Sequence, residues 1–196
     1  VLVCNSLEPL LAMDLEGLPL AAGVSDTTAT LGDRWPDRLA EACPEADASL
    51  PYFNAGVLVA DLDAWRRQEV ADRAGRLLGR ADELFSLTDQ DALNVIFAGS
   101  WKALPPRWNY QVYPRVRHHP GCSAEELFPD PGILHFVGKS KPWVRDFRNP
   151  FRKDYHSALR DSGGFARPGG YAWWKACWYG RCLRSEAGRR LRRSVD

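Results

Sequence analysis

The run Ile133-Leu134-His135-Phe136-Val137, between Gly132 and Gly138, most constrains this chain. Its length and composition predict a short buried strand. Pro142 then stops the segment from continuing as a regular element. His135 interrupts the apolar run, Gly138 follows three residues later and Lys141 three after that. A neutral imidazole ligates metal ions, a glycine lets a ligand approach the backbone, and a lysine supplies a point charge for phosphate. The triplet therefore suits a metal-bound phosphate. A core histidine ahead of a loop with surface lysines fits the same residues.

Tyr52 to Leu62 is the second informative stretch. Val57-Leu58-Val59 predicts a buried strand, entered through Asn54-Ala55-Gly56, where two small residues after an amide let another molecule meet the backbone. A plain turn feeding a strand is the other reading. In Ser86 to Phe97, Thr88 or Asp89 predicts the cap of a helix whose apolar side carries Ala92, Leu93, Ile96 and Phe97. Asp89, Gln90 and Asp91 crowd its N-terminus, where oriented N–H groups favour a carboxylate; a capping cluster alone would look the same.

Elsewhere, Val1 to Val3 reads as a strand end, and Asn5-Ser6 as a cap before Leu7, Leu10 and Leu11 at helical spacing. Leu18 to Val24 predicts a buried strand and Ser25 to Gly32 a polar loop. One helix is expected over Trp35 to Cys43, and a longer amphipathic one from Asp61 or Asp63 to about Leu78, its arginines on the solvated face. Trp101 to Tyr110 reads as extended, Val144 to Arg152 as a loop and Lys153 to Arg160 as a short helix. His118 and His119 read as surface or cleft residues beside Arg115 and Arg117, since adjacent side chains point different ways and suit no metal pair.

A chain of 196 residues, 45% apolar and 26% charged, has room for one sizeable domain. The formal charge of +1 gives no polyanion-binding surface over the whole molecule. Five cysteines without a Cys-x-x-Cys pair point to a reducing compartment rather than a disulfide framework or zinc site. Ser162 to Gly170 is broken by Gly163-Gly164 and Pro168-Gly169-Gly170, giving a Gly/Pro linker over 161–170. Residues 171–196 then hold seven basic against two acidic side chains beside Trp173, Trp174 and Trp178. That tail suits an anionic membrane surface better than nucleic acid, and packing back on the body is the remaining reading.

In order, Phe53-Asn54-Ala55-Gly56-Val57, then Asp89-Gln90-Asp91 with Leu93-Asn94, then Leu104-Pro105 with Asn109, then His135-x-x-Gly138-x-x-Lys141-Pro142-Trp143 make the chain resemble family 8 glycosyltransferases. These retaining enzymes include lipopolysaccharide galactosyl- and glucosyltransferases and glycogenin. The resemblance covers about residues 1–150 and implies a GT-A fold, a Rossmann-like mixed α/β sheet flanked by helices, over residues 1–160. It implies transfer of a hexose from a UDP-sugar to a glycan or glycolipid with Mn²⁺ or Mg²⁺, and with the aromatic-basic tail as attachment the expected location is cytoplasmic, peripheral to the inner face of the membrane. His135 matches the metal-binding histidine, and Gly138 and Lys141 the diphosphate-binding positions. Asn54, Ala55 and Gly56 match the segment lining the donor sugar, with Asp89 and Gln90 beside the transferred sugar as catalytic candidates. The family's Asp-x-Asp pair directly precedes a segment like Val1 to Leu10, and its uridine-binding strands lie earlier still. The chain opens Val-Leu-Val-Cys without a methionine, so an N-terminal portion holding two of three metal ligands is expected upstream of Val1. A non-catalytic fragment or glycan-binding module is the alternative.

Overall fold

The computed structural model describes residues 1–25, 28–79, 88–113, 130–144 and 147–162. The described elements, in order, are β1 (Leu2–Val3), α1 (Glu8–Leu11), β2 (Leu20–Val24), α2 (Leu31–Arg34), α3 (Leu39–Ala42) and β3 (Phe53–Ala60). There follow α4 (Leu62–Arg67), α5 (Val70–Leu78), α6 (Thr88–Ile96), β4 (Lys102–Ala103), a 3-10 turn (Pro106–Asn109), β5 (Tyr110–Val112), β6 (Ile133–Phe136) and α7 (Arg152–Asp161). The chain divides into two compact units, Val1–Gln111 with Gly121–His135, and Val112–Pro120 with Phe136–Asp196.

The first unit is built on a mixed three-stranded sheet in the order β3-β2-β4, with β2 antiparallel to β3 and parallel to β4. Side chains alternate across β2, as a period of two requires. Leu20 and Ala22 pack with Phe53, Val70, Ile96, Phe97 and Trp101, whereas Ala21 packs with Leu10, Leu104, Trp108 and Ile133. Both faces of the sheet are therefore covered, and each fully buried Leu or Phe contributes about 1.5–3 kcal/mol relative to exposure. A third cluster of Leu31, Trp35, Ala42, Tyr52 and Ala92 closes the end of the sheet where β3 begins.

β3 carries the feature that matters most. Ala22 pairs with Leu58, but the next residue, Gly23, pairs with Asn54, so Ala55, Gly56 and Val57 bulge out of register. Asn54-Ala55-Gly56 is thus inside the strand rather than a turn before it. Bulges re-aim side chains, and they recur beside active sites. Gly23 marks a close approach, because a Cβ there would lie 2.8 Å from both Cβ and Nδ2 of Asn109.

Strands β1, β6 and β5 form a second sheet in that order, with Leu2 opposite Leu134 and Val3 opposite Ile133. Within the second unit, Val137 N–H donates to Val112 O at 3.1 Å, and Phe136 stacks edge-on against Phe147 and Tyr155.

Three expected elements differ. The helix expected over Trp35 to Cys43 is reduced to one turn, α3, because Pro36 lacks an N–H and pushes Trp35 out of the helical region, to φ −130° and ψ 66°. A separate turn, α2, ends at Arg34 and starts inside the expected polar loop, with a capping box between Thr30 and Asp33. The long amphipathic helix breaks at Glu69, whose φ of +50° reorients α5 so that Val70, Ala74 and Leu77 face the core. The stretch before Tyr110 is extended only at Lys102–Ala103; Pro106 fits the first position of the 3-10 turn that follows. The linker from residue 163 and the tail lie outside the described residues. Among the described residues no helix is long and apolar enough to cross a membrane.

Candidate functional site

In the first unit the β3 bulge reaches His135 in two ways. Gly56 lies against the imidazole, and a Cβ on it would overlap Cε1 and crowd both ring nitrogens of His135. Glycine is required here for space, a constraint the sequence registered only as close approach of another molecule. Gly56 N–H also donates to Asn54 Oδ1 at 2.9 Å, and Asn109 Nδ2 donates to the same oxygen at 3.1 Å. Asn109 then faces His135 Nδ1 with its Oδ1, 2.9 Å away. With both donations entering Asn54 Oδ1, the Asn54 amide nitrogen is the group that remains to donate to a ligand.

The same bulge reaches α6. Ala55 N–H donates to Gln90 Oε1 at 3.1 Å, and Gln90 Nε2 donates to the Tyr52 hydroxyl at 3.1 Å. Tyr52 in turn donates to Asp91 Oδ1 at 2.6 Å. Burial first, then the bond to Asp91, pushes the Tyr52 hydroxyl well above its ordinary range, so it stays protonated. Arg34 grips Asp91 through Nε and Nη2 at 2.7 and 2.6 Å. The hydrogen bond to Asp91 raises the Arg34 guanidinium further. One turn on, Asn94 Oδ1 accepts from Phe53 N–H and its Nδ2 donates to Phe53 O, locking α6 onto the start of β3.

Gln90 is therefore fixed at both ends of its amide, beside the residue that adjoins Asn54 and Gly56. Asp89 sits exposed in the first turn of the same helix. Asp91 does other work: it is completely buried and anchors Tyr52 and Arg34. Sequence reading gave no role to Tyr52, Arg34 or Asn109. Arg34 and Asp91 are 57 residues apart and carry no local signature of their pairing. Tyr52 borders a recognisable motif and Asn109 belongs to one, and those positions were the available signal.

The other two candidates lie in the second unit. Gly138 adopts φ +75°, a left-handed conformation that favours glycine, although a Cβ there would meet nothing within 4 Å. Lys141 Nζ donates to Phe136 O at 2.6 Å, closing the loop that leaves β6. His118 and His119 lie outside the described residues. Among the described residues, no three His, Cys, Asp or Glu side chains converge as a metal site. His135 nevertheless fits as one ligand, with its ring seated on Gly56 and its Nδ1 engaged by Asn109.

Residues 1–146 match the family model described as Glycosyl transferase family 8. General stress protein A of Bacillus subtilis is 32% identical over 53% of this chain and 39% of that protein. The lipopolysaccharide 1,2-glucosyltransferase of Escherichia coli is 30% identical over 57% of this chain and 34% of its own length. The chain thus spans little more than a third of these relatives. Among solved structures, galactosyltransferase LgtC in complex with donor and acceptor sugar analogs superposes with a TM-score of 0.57 at 25% identity, covering 79% of this chain and 56% of that one.

Proposed function

The chain belongs to glycosyl transferase family 8, with the GT-A α/β fold of its structural neighbours, and on that premise we propose that it serves a retaining transfer of a hexose from a UDP-sugar to a glycan or glycolipid acceptor. The observation that carries the reading is the β3 bulge, where Asn54, Ala55 and Gly56 contact both Gln90 and His135. An amide suited to a sugar hydroxyl, a carboxamide suited to support a cationic sugar and an imidazole suited to a metal are brought together by three consecutive residues. The bound sugar analogs named for LgtC, and the glucosyl transfer named for the Escherichia coli relative, agree with this substrate class.

In this reading His135 is one ligand of a divalent cation, Mn²⁺ or Mg²⁺, and Asn54 donates through its amide nitrogen to a donor-sugar hydroxyl. When bound, the cation neutralises charge on the departing diphosphate. Lys141 serves the diphosphate by exchanging Phe136 O for a phosphate oxygen, and Gly138 supplies the left-handed turn before it. Gln90 is a poor nucleophile, which disfavours a covalent sugar intermediate. The acceptor hydroxyl then attacks on the face the diphosphate leaves: the new C1–O bond forms as the old one breaks, and the hydroxyl proton passes to the leaving phosphate oxygen. Gln90 Oε1 supports the cationic sugar electrostatically, and Asp89 positions its hydroxyls.

The test is calorimetric titration of Mn²⁺ and UDP into the protein, together with any residues its gene encodes upstream, and into the His135→Ala variant. Metal-dependent UDP binding and UDP-sugar hydrolysis are expected in the first and reduced at least about tenfold in the second. Equal behaviour of the two removes His135 from the metal site. Absence of UDP binding from both favours a glycan-binding module.

A further inference from the structure

We infer that Asn109 is a positioning residue that selects the tautomer of His135, placing the proton on Nδ1 and leaving the ring lone pair on Nε2. One group in the cluster cannot be reoriented. Gly56 N–H is a backbone donor and sits 2.9 Å from the side chain of Asn54, so that the atom facing it must be the oxygen, Oδ1. The amide of Asn109 meets this same Oδ1 at 3.1 Å and the Asn54 backbone oxygen at 3.5 Å. Both are acceptors. Turned the other way, Asn109 would set its own oxygen against two oxygens with no proton between them, leaving a buried amide unsatisfied.

Asn109 is 4% exposed, so water does not relieve that conflict. Its Oδ1 is consequently committed to His135 Nδ1 at 2.9 Å, and an amide oxygen only accepts. The neutral imidazole must carry its proton on Nδ1. The order of control runs from Gly56 N–H through Asn54 and Asn109 to His135, joining three segments far apart in the sequence.

The inference rests on the metal-ligand reading of His135 only for its consequence, which is that the amide contacting the donor sugar and the imidazole contacting the cation are joined through Asn109, which bonds to both. Groups that orient a ligating histidine change metal affinity by about 10–100-fold when removed.

Long-range ¹H–¹⁵N correlation spectra of the metal-free protein, taken where the imidazole is neutral, separate protonated from bare ring nitrogens. The expected result is a protonated Nδ1 and a bare Nε2 in the native protein, and a mixture of tautomers in Asn109→Ala. A proton on Nε2 in the native protein overturns the inference, and so does an unchanged tautomer in Asn109→Ala. Should the alanine variant not fold, the native spectrum still decides. Mn²⁺ added to the same samples tests the underlying reading separately. A tautomer change with no change in Mn²⁺ affinity upholds the role of Asn109 and sinks that of His135 as a ligand.

Discussion

Arg34 holds both carboxylate oxygens of Asp91, at 2.7 and 2.6 Å, inside a core where Asp91 has no exposed surface. The pair stands beneath Tyr52 and Gln90 and fixes the hydroxyl that Gln90 leans on. Its position makes it structural support for the candidate site.

Removing one partner of such a pair strands a buried charge, at a cost of about 3–5 kcal/mol. Arg34→Met should therefore lower the thermal midpoint by on the order of 10 °C for a chain of this size. The double variant Arg34→Met with Asp91→Leu should recover a large part of that loss, because no charge is left unpaired. Thermal unfolding followed by circular dichroism measures both. A loss under about 1 kcal/mol in the single variant, or no recovery in the double one, contradicts the buried-pair account.

Two glycines illustrate what the sequence made legible and what it did not. Gly56 and Gly138 both sit in recognisable motifs, so their importance could be read in advance, along with the strands around them and the helix α6. Their reasons could not, because one depends on a ring arriving from residue 135 and the other on a backbone angle. The same limit applies to Asn109 and Arg34, whose partners are set by tertiary packing, and to the broken helices. Pro36 carried the signal for one break, since a proline displaces its predecessor from helical geometry. Glu69 carried none, because its left-handed conformation follows from the need to turn Val70 and Leu77 inward.

The difference between the two glycines is testable. At Gly138 only the conformation is at stake, so Gly138→Ala should cost about 1–2 kcal/mol and Gly138→Asn less, asparagine tolerating the left-handed region. At Gly56 the obstacle is the His135 ring, so alanine and asparagine should both be disruptive. Gly56→Ala should cost about 1–3 kcal/mol as an overpacked site and displace the imidazole from Asn109. Urea unfolding gives the energies and the His135 ring resonances report the displacement. If Gly56→Ala leaves those resonances in place, the packing of Gly56 on His135 is not what holds the ring.

The turn from β3 into α4 gives a prediction in pH. Asp61 Oδ1 accepts from the N–H groups of Asp63 and Ala64, both at 2.9 Å, capping α4. The bond from Ala64 is the main cause holding this carboxyl below its usual range, with Asp63 and Arg67 adding to it against an opposing effect of burial. A carboxyl whose pKa is depressed on folding contributes stability above its unfolded value, about 3.9, and loses it as pH falls through the lower folded value. Asp61→Ala should thus be less stable than the native protein at neutral pH, with the gap narrowing below about pH 4. Asp61→Ser keeps a capping oxygen that does not titrate in this range. Its difference from alanine should stay level across the same pH range while the native curve bends toward both. Denaturant midpoints between about pH 7 and pH 3 measure the three curves, and a native-to-alanine gap that stays constant would show that Asp61 caps the helix without its charge contributing.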